Sequence, residues 1–377
     1  MSENLKQFKL KYASLTLHFG PHALNELEED LSKHERILVV TGRRSAKESG
    51  ALDEALSILS KHGIVYDIFS DVTPNPWSSQ ADKMAYRAWE FGAEAIIAIG
   101  GGSVIDTAKV AAMIAVSGGK AVDYIYGKRR ARGHIPVYAV NITHGTGTEV
   151  DRYSVLTVDD VKEKRGFISI YPSVSVDDPR YTITLPRSQT LYTSLDAFYH
   201  AYEAATQPWA SPFVEMLAFE TIKLIRDWLP VAVEKPVNLE ARYKLLYASM
   251  LAGIAIDMAG THIVHVLEHV LSGMKPELAH GGGLAITGPR SAYYIHKKSP
   301  LASARLLQLL DPSIRPLAED ASKAEAAIRR FQESVGFTET LNQYGFSDVD
   351  LIKIAEKGEW PLELSTEDIL DILKKSL

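Results

Sequence analysis

Two domains are expected from this sequence: an α/β domain built on a parallel sheet over residues 1–185, and an all-helical domain over residues 186–377. Three observations carry that expectation. Short β-branched runs alternate with helical patterns through the first half, as a parallel sheet joined by crossover helices requires. Strand signals nearly vanish after Thr184-Leu185-Pro186, where apolar residues begin to recur at helical spacing. A chain of 377 residues is also long for a single core.

The elements follow in order. An opening ribbon over residues 9–19 alternates Leu10 and Tyr12, then Leu15 and Leu17, and belongs at a sheet edge. Strand runs come next at Ile37-Leu38-Val39-Val40, Val65-Tyr66-Asp67-Ile68-Phe69, Ala95-Ile96-Ile97-Ala98-Ile99 and Val137-Tyr138-Ala139-Val140-Asn141. Strands apolar at consecutive positions imply a sheet covered on both faces. The covering helices are expected over residues 46–61, 79–91 and 103–115. In the second half helical spacing runs over residues 213–229, 239–257 and 321–335, with Pro208, Pro212, Pro230 and Pro236 as punctuation. No internal repeat or low-complexity segment is visible.

Composition narrows the function. The 46% hydrophobic content suffices for packed interiors, and a net charge of −6 leaves no basic excess for a phosphate backbone, so nucleic acid is not expected as a partner. The basic cluster Lys128-Arg129-Arg130-Ala131-Arg132 reads as a solvated loop. No apolar run reaches the length of a membrane span, and the start, Met1-Ser2-Glu3-Asn4-Leu5-Lys6, does not read as a signal peptide. With no cysteine there are no disulfides, which fits a cytoplasmic protein.

The missing cysteines also remove thiolate cages, so a metal here needs imidazole and carboxylate. Asp196 and His200 are four apart and share one face if the segment is helical. His262, His265 and His269 lie three and four apart on what reads as a second helix, and His280 starts a loop segment, His280-Gly281-Gly282-Gly283. Asp196, His200, His265 and His280 together make one carboxylate and three imidazoles, a full set suited to Fe(II) or Zn(II). A single histidine on an apolar helix face is ordinarily a core residue satisfied by one hydrogen bond; the set, with its first pair at helical spacing, is what stands out.

A nucleotide signal lies in the first domain. Ile97-Ala98-Ile99 runs into Gly100-Gly101-Gly102-Ser103, and a helix begins at once. Glycines after a strand let backbone amides approach a diphosphate, while the helix N-terminus supplies partial positive charge. The spacing is neither Gly-x-Gly-x-x-Gly nor a P-loop. A polar loop, Thr143-His144-Gly145-Thr146-Gly147-Thr148-Glu149, follows the fourth strand run, and in a doubly wound sheet such loops converge on the ligand crevice. Thr143, Thr146 and Thr148 are therefore candidates for ribose or nicotinamide contacts, although a plain surface loop fits the spacing equally well.

These motifs resemble the iron-containing (group III) alcohol dehydrogenases. The resemblance rests on Gly100-Gly101-Gly102-Ser103-x-x-Asp106-x-x-Lys109, Pro74-Asn75-Pro76, Gly145-Thr146-Gly147-Thr148-Glu149 and Thr182-x-Thr184-Leu185-Pro186. It continues through Asp196-Ala197-x-x-His200-Ala201-x-Glu203, His265-x-x-x-His269 and His280-Gly281 to the closing Ser365-Thr366-Glu367-Asp368-Ile369-Leu370. It implies a dinucleotide-binding first domain, a helical second domain and a metal in the cleft between them. It also implies metal ligands at Asp196, His200, His265 and His280, and places His269 near the nicotinamide as a candidate proton relay. Asn75, Ser103 and Asp106 join the cofactor candidates on the same ground. His262 has no counterpart and reads as a packing or surface residue, an offset that makes it the ligand being the alternative. The activity implied is hydride transfer between NAD(P)(H) and a small primary alcohol or aldehyde, by a homodimer or larger homo-oligomer.

Cofactor choice turns on Thr41-Gly42-Arg43-Arg44-Ser45. Family members that prefer NAD often carry an aspartate where Gly42 stands; here two guanidinium groups and a hydroxyl follow, which suits a 2′-phosphate and points to NADP(H) over NAD(H), as in the butanol-dehydrogenase-like branch. His144 departs from the family by standing where a small residue is usual, which would crowd the cofactor or bring another imidazole to the cleft. Tyr153, Phe167, Tyr199 and Met258 are the expected pocket residues. Glycerol dehydrogenase, glycerol-1-phosphate dehydrogenase and the lyase dehydroquinate synthase share the architecture and are the alternatives, with a non-catalytic nucleotide- or metal-binding protein behind them.

Overall fold

The computed structural model describes residues 5–377; the first four residues of the opening stretch read above lie outside the described residues. The chain forms two compact units, Met1–Leu185 with Pro236–Leu246, and Pro186–Lys235 with Tyr247–Leu377. A short excursion of the later sequence thus belongs to the first unit.

In the first unit, strands β1 (Phe8–Tyr12), β2 (Leu15–Phe19), β3 (Arg36–Gly42), β4 (Val65–Val72), β5 (Ala95–Gly100), β6 (Val137–Asn141) and β9 (Val174–Asp177) form one sheet in the order β1-β2-β9-β6-β5-β3-β4. Every neighbouring pair is parallel except the β1–β2 hairpin, which occupies an edge as the alternating ribbon predicts. Strands β7 (Tyr153–Val158) and β8 (Glu163–Ile168) pair separately as an antiparallel hairpin. Helices α1 (Glu28–Leu31), α2 (Ser45–Glu48), α3 (Ala51–Lys61), α4 (Ser78–Phe91), α5 (Gly102–Ser117) and α6 (Ala121–Ile125) complete the unit.

Alternating side chains build two cores from the same strands. Leu38, Val40, Ile96, Ala98, Val137 and Ala139 pack with Met84, Ile105 and Ala108 on one face. Ile37, Val39, Ile97, Ile99, Val140 and Val176 pack with Leu24, Leu27, Ala55 and Leu59 on the other. Each buried Leu, Ile or Val is worth roughly 1.5–3 kcal/mol, so both faces of the central strands hold the sheet. The helix expected over residues 46–61 is two, α2 and α3, because Gly50 adopts a left-handed φ of 82° between them. Strand β4 differs from its neighbours: it lies at the other edge, with Val65, Tyr66 and Ile68 exposed.

The second unit is helical, with α7 (Arg187–Thr206), α8 (Pro212–Glu234), α9 (Leu239–Ala259, from Tyr247 onward), α10 (Ile263–Met274), α11 (His280–Lys298), α12 (Pro300–Leu307), α13 (Ala321–Ser334), α14 (Asp348–Ala355) and α15 (Thr366–Lys374). Helix α7 packs on α8 and α11, and α11 also packs on α10 and α13. Two expectations need correction. Pro230 lies inside α8 instead of ending it. His280 opens a helix, not a loop, and neighbours take the space that side chains would need at two of the glycines behind it: the Tyr192 carbonyl at Gly281, Glu268 and Leu278 at Gly283. No single helix is long and apolar enough to cross a membrane.

Candidate active site

The first unit presents a cradle at the carboxyl ends of its strands. The chain leaves β3 toward β4 on one side and returns to β5 on the other, so β3 and β5 flank a topological switch point, where open α/β sheets bind ligands. Gly100 ends β5, Gly101 precedes α5 and Gly102 begins it, leaving the helix's first amides without helical acceptors. All three glycines are sterically required. A Cβ on Gly100 would lie 2.5 Å from Val104, one on Gly101 2.8 Å from the Thr143 methyl, and one on Gly102 2.6 Å from the Thr146 methyl. Ser103 is half-buried on the first turn of α5.

The loop after β6 is thus pressed onto the glycine turn, and it is anchored at both ends. At its start, Asn141 Oδ1 accepts from the Thr143 amide (3.0 Å) and hydroxyl (3.1 Å), while its Nδ2 donates to Asp177 (3.0 Å). At its end, Lys109 Nζ, fully buried, donates to the Thr148 hydroxyl (2.6 Å), to Asp151 Oδ1 (3.2 Å) and to the carbonyls of Asp151 and Tyr153 (2.9 Å each). The Thr148 hydroxyl donates in turn to Asp106 (2.5 Å), which also accepts from the Val155 amide (2.9 Å). Burial pushes the Asp151 carboxyl up to about 7 against the pull of Lys109. Asp106 and Thr148 are therefore buried braces of the loop. Asn75 holds a left-handed φ of 48° and accepts from Lys164 Nζ at 3.0 Å.

Gly42 closes β3, and Arg43, Arg44 and Ser45 after it are exposed. A Cβ on Gly42 would make only ordinary contacts, 3.7 Å from the Val72 carbonyl and 3.8 Å from the Ser45 hydroxyl, so packing does not demand glycine there.

In the second unit, α7 carries Asp196, His200 and Glu203 on one buried face. Helix α10 carries His265, Glu268 and His269, and α11 begins with His280. Asp196 Oδ1 lies 3.5 Å from His200 Nε2, 3.5 Å from His265 Nε2 and 3.7 Å from His280 Nε2. Ligands about 2.1 Å from a tetrahedral ion stand about 3.4 Å apart, so each of these separations from Asp196 fits a shared ion, and the donor atoms of Asp196, His265 and His280 all lie within 4.8 Å of one another. The His200 and His265 rings stack with centroids 4.4 Å apart. Asp196 Oδ1 and His265 Nε2 are buried without a hydrogen-bond partner, as atoms that ligate a metal would be.

The groups are strongly coupled electrostatically. Burial raises the Asp196 carboxyl, but His200, His280 and His265 outweigh it and hold the group well below the usual carboxylate range. Burial lowers His265, yet Asp196 and Glu203 hold it up at about 9. His269 is half-buried beside His280, ring centroids 5.6 Å apart, and its donor atom gathers with those of Glu268 and His280 within 4.8 Å. Tyr199, expected at a pocket, is instead fully buried, with its hydroxyl accepting from Gln332 at 2.7 Å.

Comparison with known proteins matches this pattern over nearly the whole chain. The family described as iron-containing alcohol dehydrogenase matches residues 15–179, and the C-terminal part of the same family matches residues 190–377. The chain belongs to the iron-containing alcohol dehydrogenases. It is 37% identical to the long-chain primary alcohol dehydrogenase AdhA of Thermoanaerobacter ethanolicus over 354 residues, covering 92% of this chain and 88% of that one. The 1,3-propanediol dehydrogenase of Klebsiella pneumoniae is 35% identical, over 90% of this chain and 89% of that protein. The crystal structure of the NADH-dependent butanol dehydrogenase A of Thermotoga maritima superimposes with a TM-score of 0.89 at 29% identity, covering 99% of both chains.

In this iron-containing alcohol dehydrogenase two glutamates behind the histidines do work that motif spacing alone did not reveal. Glu203, fully buried, accepts from His265 Nδ1 and from the amides of Val264 (2.6 Å) and His265 (3.3 Å), and lies 3.1 Å from His262 Nδ1. His262 Nε2 meets the Thr206 hydroxyl at 2.9 Å, so this histidine braces Glu203. Glu268, also fully buried, accepts from His280 Nδ1. A carboxylate on Nδ1 fixes the tautomer and turns Nε2 toward an ion. No local spacing signals these pairs, since Glu203 meets His265 and Glu268 meets His280 only through the tertiary packing. A Glu268→Gln variant is expected to bind divalent metal about 10–100-fold more weakly with its helix content intact, as read by metal titration followed by circular dichroism.

Proposed function

We propose that this chain is a metal-dependent alcohol dehydrogenase that interconverts primary alcohols and aldehydes with NADP(H). The observation that carries the proposal is the convergence of one buried carboxylate oxygen and three imidazole nitrogens, two of those donor atoms lacking any hydrogen-bond partner. Asp196, His200, His265 and His280 would hold the ion, Fe(II) or Zn(II), with Glu203 and Glu268 orienting two of the histidines. When bound, that ion supplies Lewis acidity to an alcohol or aldehyde oxygen, and the nicotinamide supplies or takes the hydride. Asp196 lowers the net charge of the ligand set, and His269, beside His280, is the group we assign to carry a proton between substrate and solvent.

The dinucleotide binds through the Gly100-Gly101-Gly102 amides, with Ser103, Thr143 and Thr146 as polar contacts, Asn75 at the far side, and Asp106 and Thr148 bracing the loop from behind. Arg43, Arg44 and Ser45 receive the 2′-phosphate beside Gly42, where no carboxylate repels it. The relatives named above act, by their names, on long-chain primary alcohols, 1,3-propanediol and butanol, which supports a primary alcohol as substrate here. They favour that reading over a glycerol dehydrogenase or a dehydroquinate-synthase-like lyase. We assign the enzyme to the cytoplasm and to a homodimer or larger homo-oligomer.

Removing both guanidinium groups tests the cofactor assignment. An Arg43→Ala/Arg44→Ala variant is expected to raise KM for NADPH about tenfold or more, with KM for NADH little changed, since a charge-assisted phosphate contact is worth roughly 1.5–3 kcal/mol before exposure reduces it. An unchanged NADPH-to-NADH ratio would retire the NADP(H) preference while leaving the reaction class standing.

A further inference from the structure

We infer that Arg242 and His144 form a buried lock that positions the middle of the 143–148 loop, making both of them positioning residues for the dinucleotide and not contacts to it. The inference rests on the dinucleotide assignment made above. His144, which the sequence placed against the cofactor or in the cleft, is fully buried, and its Nε2 lies 3.0 Å from Arg242 Nη1. Arg242 comes from the Pro236–Leu246 excursion that packs into the first unit, 98 residues away in sequence. It is the largest fully buried side chain among the described residues.

A guanidinium in that position is costly unless its donors are used. Nε donates to the Pro236 carbonyl at 2.9 Å and Nη1 donates to the imidazole, which engages two of its three nitrogens. The polarity of the bond is fixed by chemistry, because an arginine can only donate and the histidine must therefore accept. Burial and the neighbouring Arg242 charge hold His144 down at about 3, so its ring stays neutral with a lone pair for the arginine.

The loop needs such a clamp. Its first anchor is Asn141 on Thr143, and its last is Lys109 on Thr148. Between them lie Gly145 and Gly147, the latter at a left-handed φ of 66°, where the backbone is least restrained by its own side chains. His144 adjoins Thr143, whose methyl closes over Gly101, and Thr146, whose methyl closes over Gly102, follows two residues later. Fixing the imidazole therefore fixes the distance between the loop and the amides of the glycine turn.

The test is NADPH binding to the full-length, metal-loaded protein, followed by nucleotide fluorescence. His144→Ala and Arg242→Met are each expected to raise Kd for NADPH about tenfold or more, the worth of one hydrogen bond from a charged donor, and the double variant no more than the worse single one. The loss falls on KM for the cofactor and not on kcat. His144→Gln returns an acceptor to Arg242 and recovers most of the affinity, and if Arg242→Met does not fold, the His144→Ala and His144→Gln pair alone decides. Folded variants with parental Kd and only a lower Tm, or effects that simply add in the double variant, would overturn the lock. Failure of the parent itself to bind NADPH or NADH would overturn the dinucleotide assignment, and the lock with it.

Discussion

Replacing Asp196 by alanine is expected to abolish metal retention and to lower kcat/KM for aldehyde reduction by more than about a thousandfold, the several kcal/mol that a Lewis acid supplies. The reason is the position of one oxygen. Asp196 Oδ1 is the atom from which all three imidazole Nε2 atoms lie within 3.7 Å, and it supplies the only negative charge among the four proposed ligands. Alanine leaves three neutral or protonated imidazoles around a void, a weak site for a divalent ion. The fold should survive, because Asp196 sits mid-helix in α7, where alanine is the best helix former. Asp196→Asn separates charge from shape: it keeps an oxygen in place and is expected to fall between parent and alanine variant. Metal content by elemental analysis and turnover on a short-chain aldehyde read both effects, and an alanine variant that keeps its metal and its rate would end the ligand assignment.

Gly102→Val is expected to weaken NADPH and NADH binding roughly a hundredfold while metal content stays parental. A Cβ there would stand 2.6 Å from the Thr146 methyl and 3.0 Å from its hydroxyl, so the loop must retreat from the first turn of α5. Overpacking of this kind costs about 1–3 kcal/mol, and the upper end corresponds to about two decades of affinity. The proposed metal ligands all belong to the other compact unit, which makes metal content an internal control for folding. Equal loss of metal and dinucleotide would point to general misfolding, whereas parental dinucleotide affinity would show that the glycine turn is structural only.

Both sites were legible in the sequence to different depths. The parallel sheet was readable because its central strands are apolar on both faces, and the period-two ribbon at the start gave away the edge hairpin. The proposed ligand quartet could be assembled from sequence because metal chemistry admits few residue types and this chain offers no thiolates. The partners of those ligands were harder to see. Glu203 and Glu268 look like ordinary helix-surface acids until the tertiary packing buries them against Nδ1 atoms. His280 reads as a loop residue because three glycines normally break a helix, whereas the packing of Tyr192 at Gly281 and of Glu268 and Leu278 at Gly283 leaves no room for side chains there. Tyr199 was misjudged because an aromatic next to a ligand reads equally well as pocket or core. The Arg242–His144 contact joins residues 98 apart and has no local pattern from which to foresee it.

The most direct test is cofactor oxidation with a short-chain aldehyde by protein stripped of metal and then refilled separately with Fe(II) and with Zn(II), NADPH beside NADH. The account predicts no turnover in the stripped protein, recovery with at least one of the two ions, and a faster rate with NADPH. Turnover that is equal with and without metal would contradict the ligand quartet, and no turnover with either ion and either nucleotide would contradict the assignment of this chain's activity to alcohol–aldehyde interconversion.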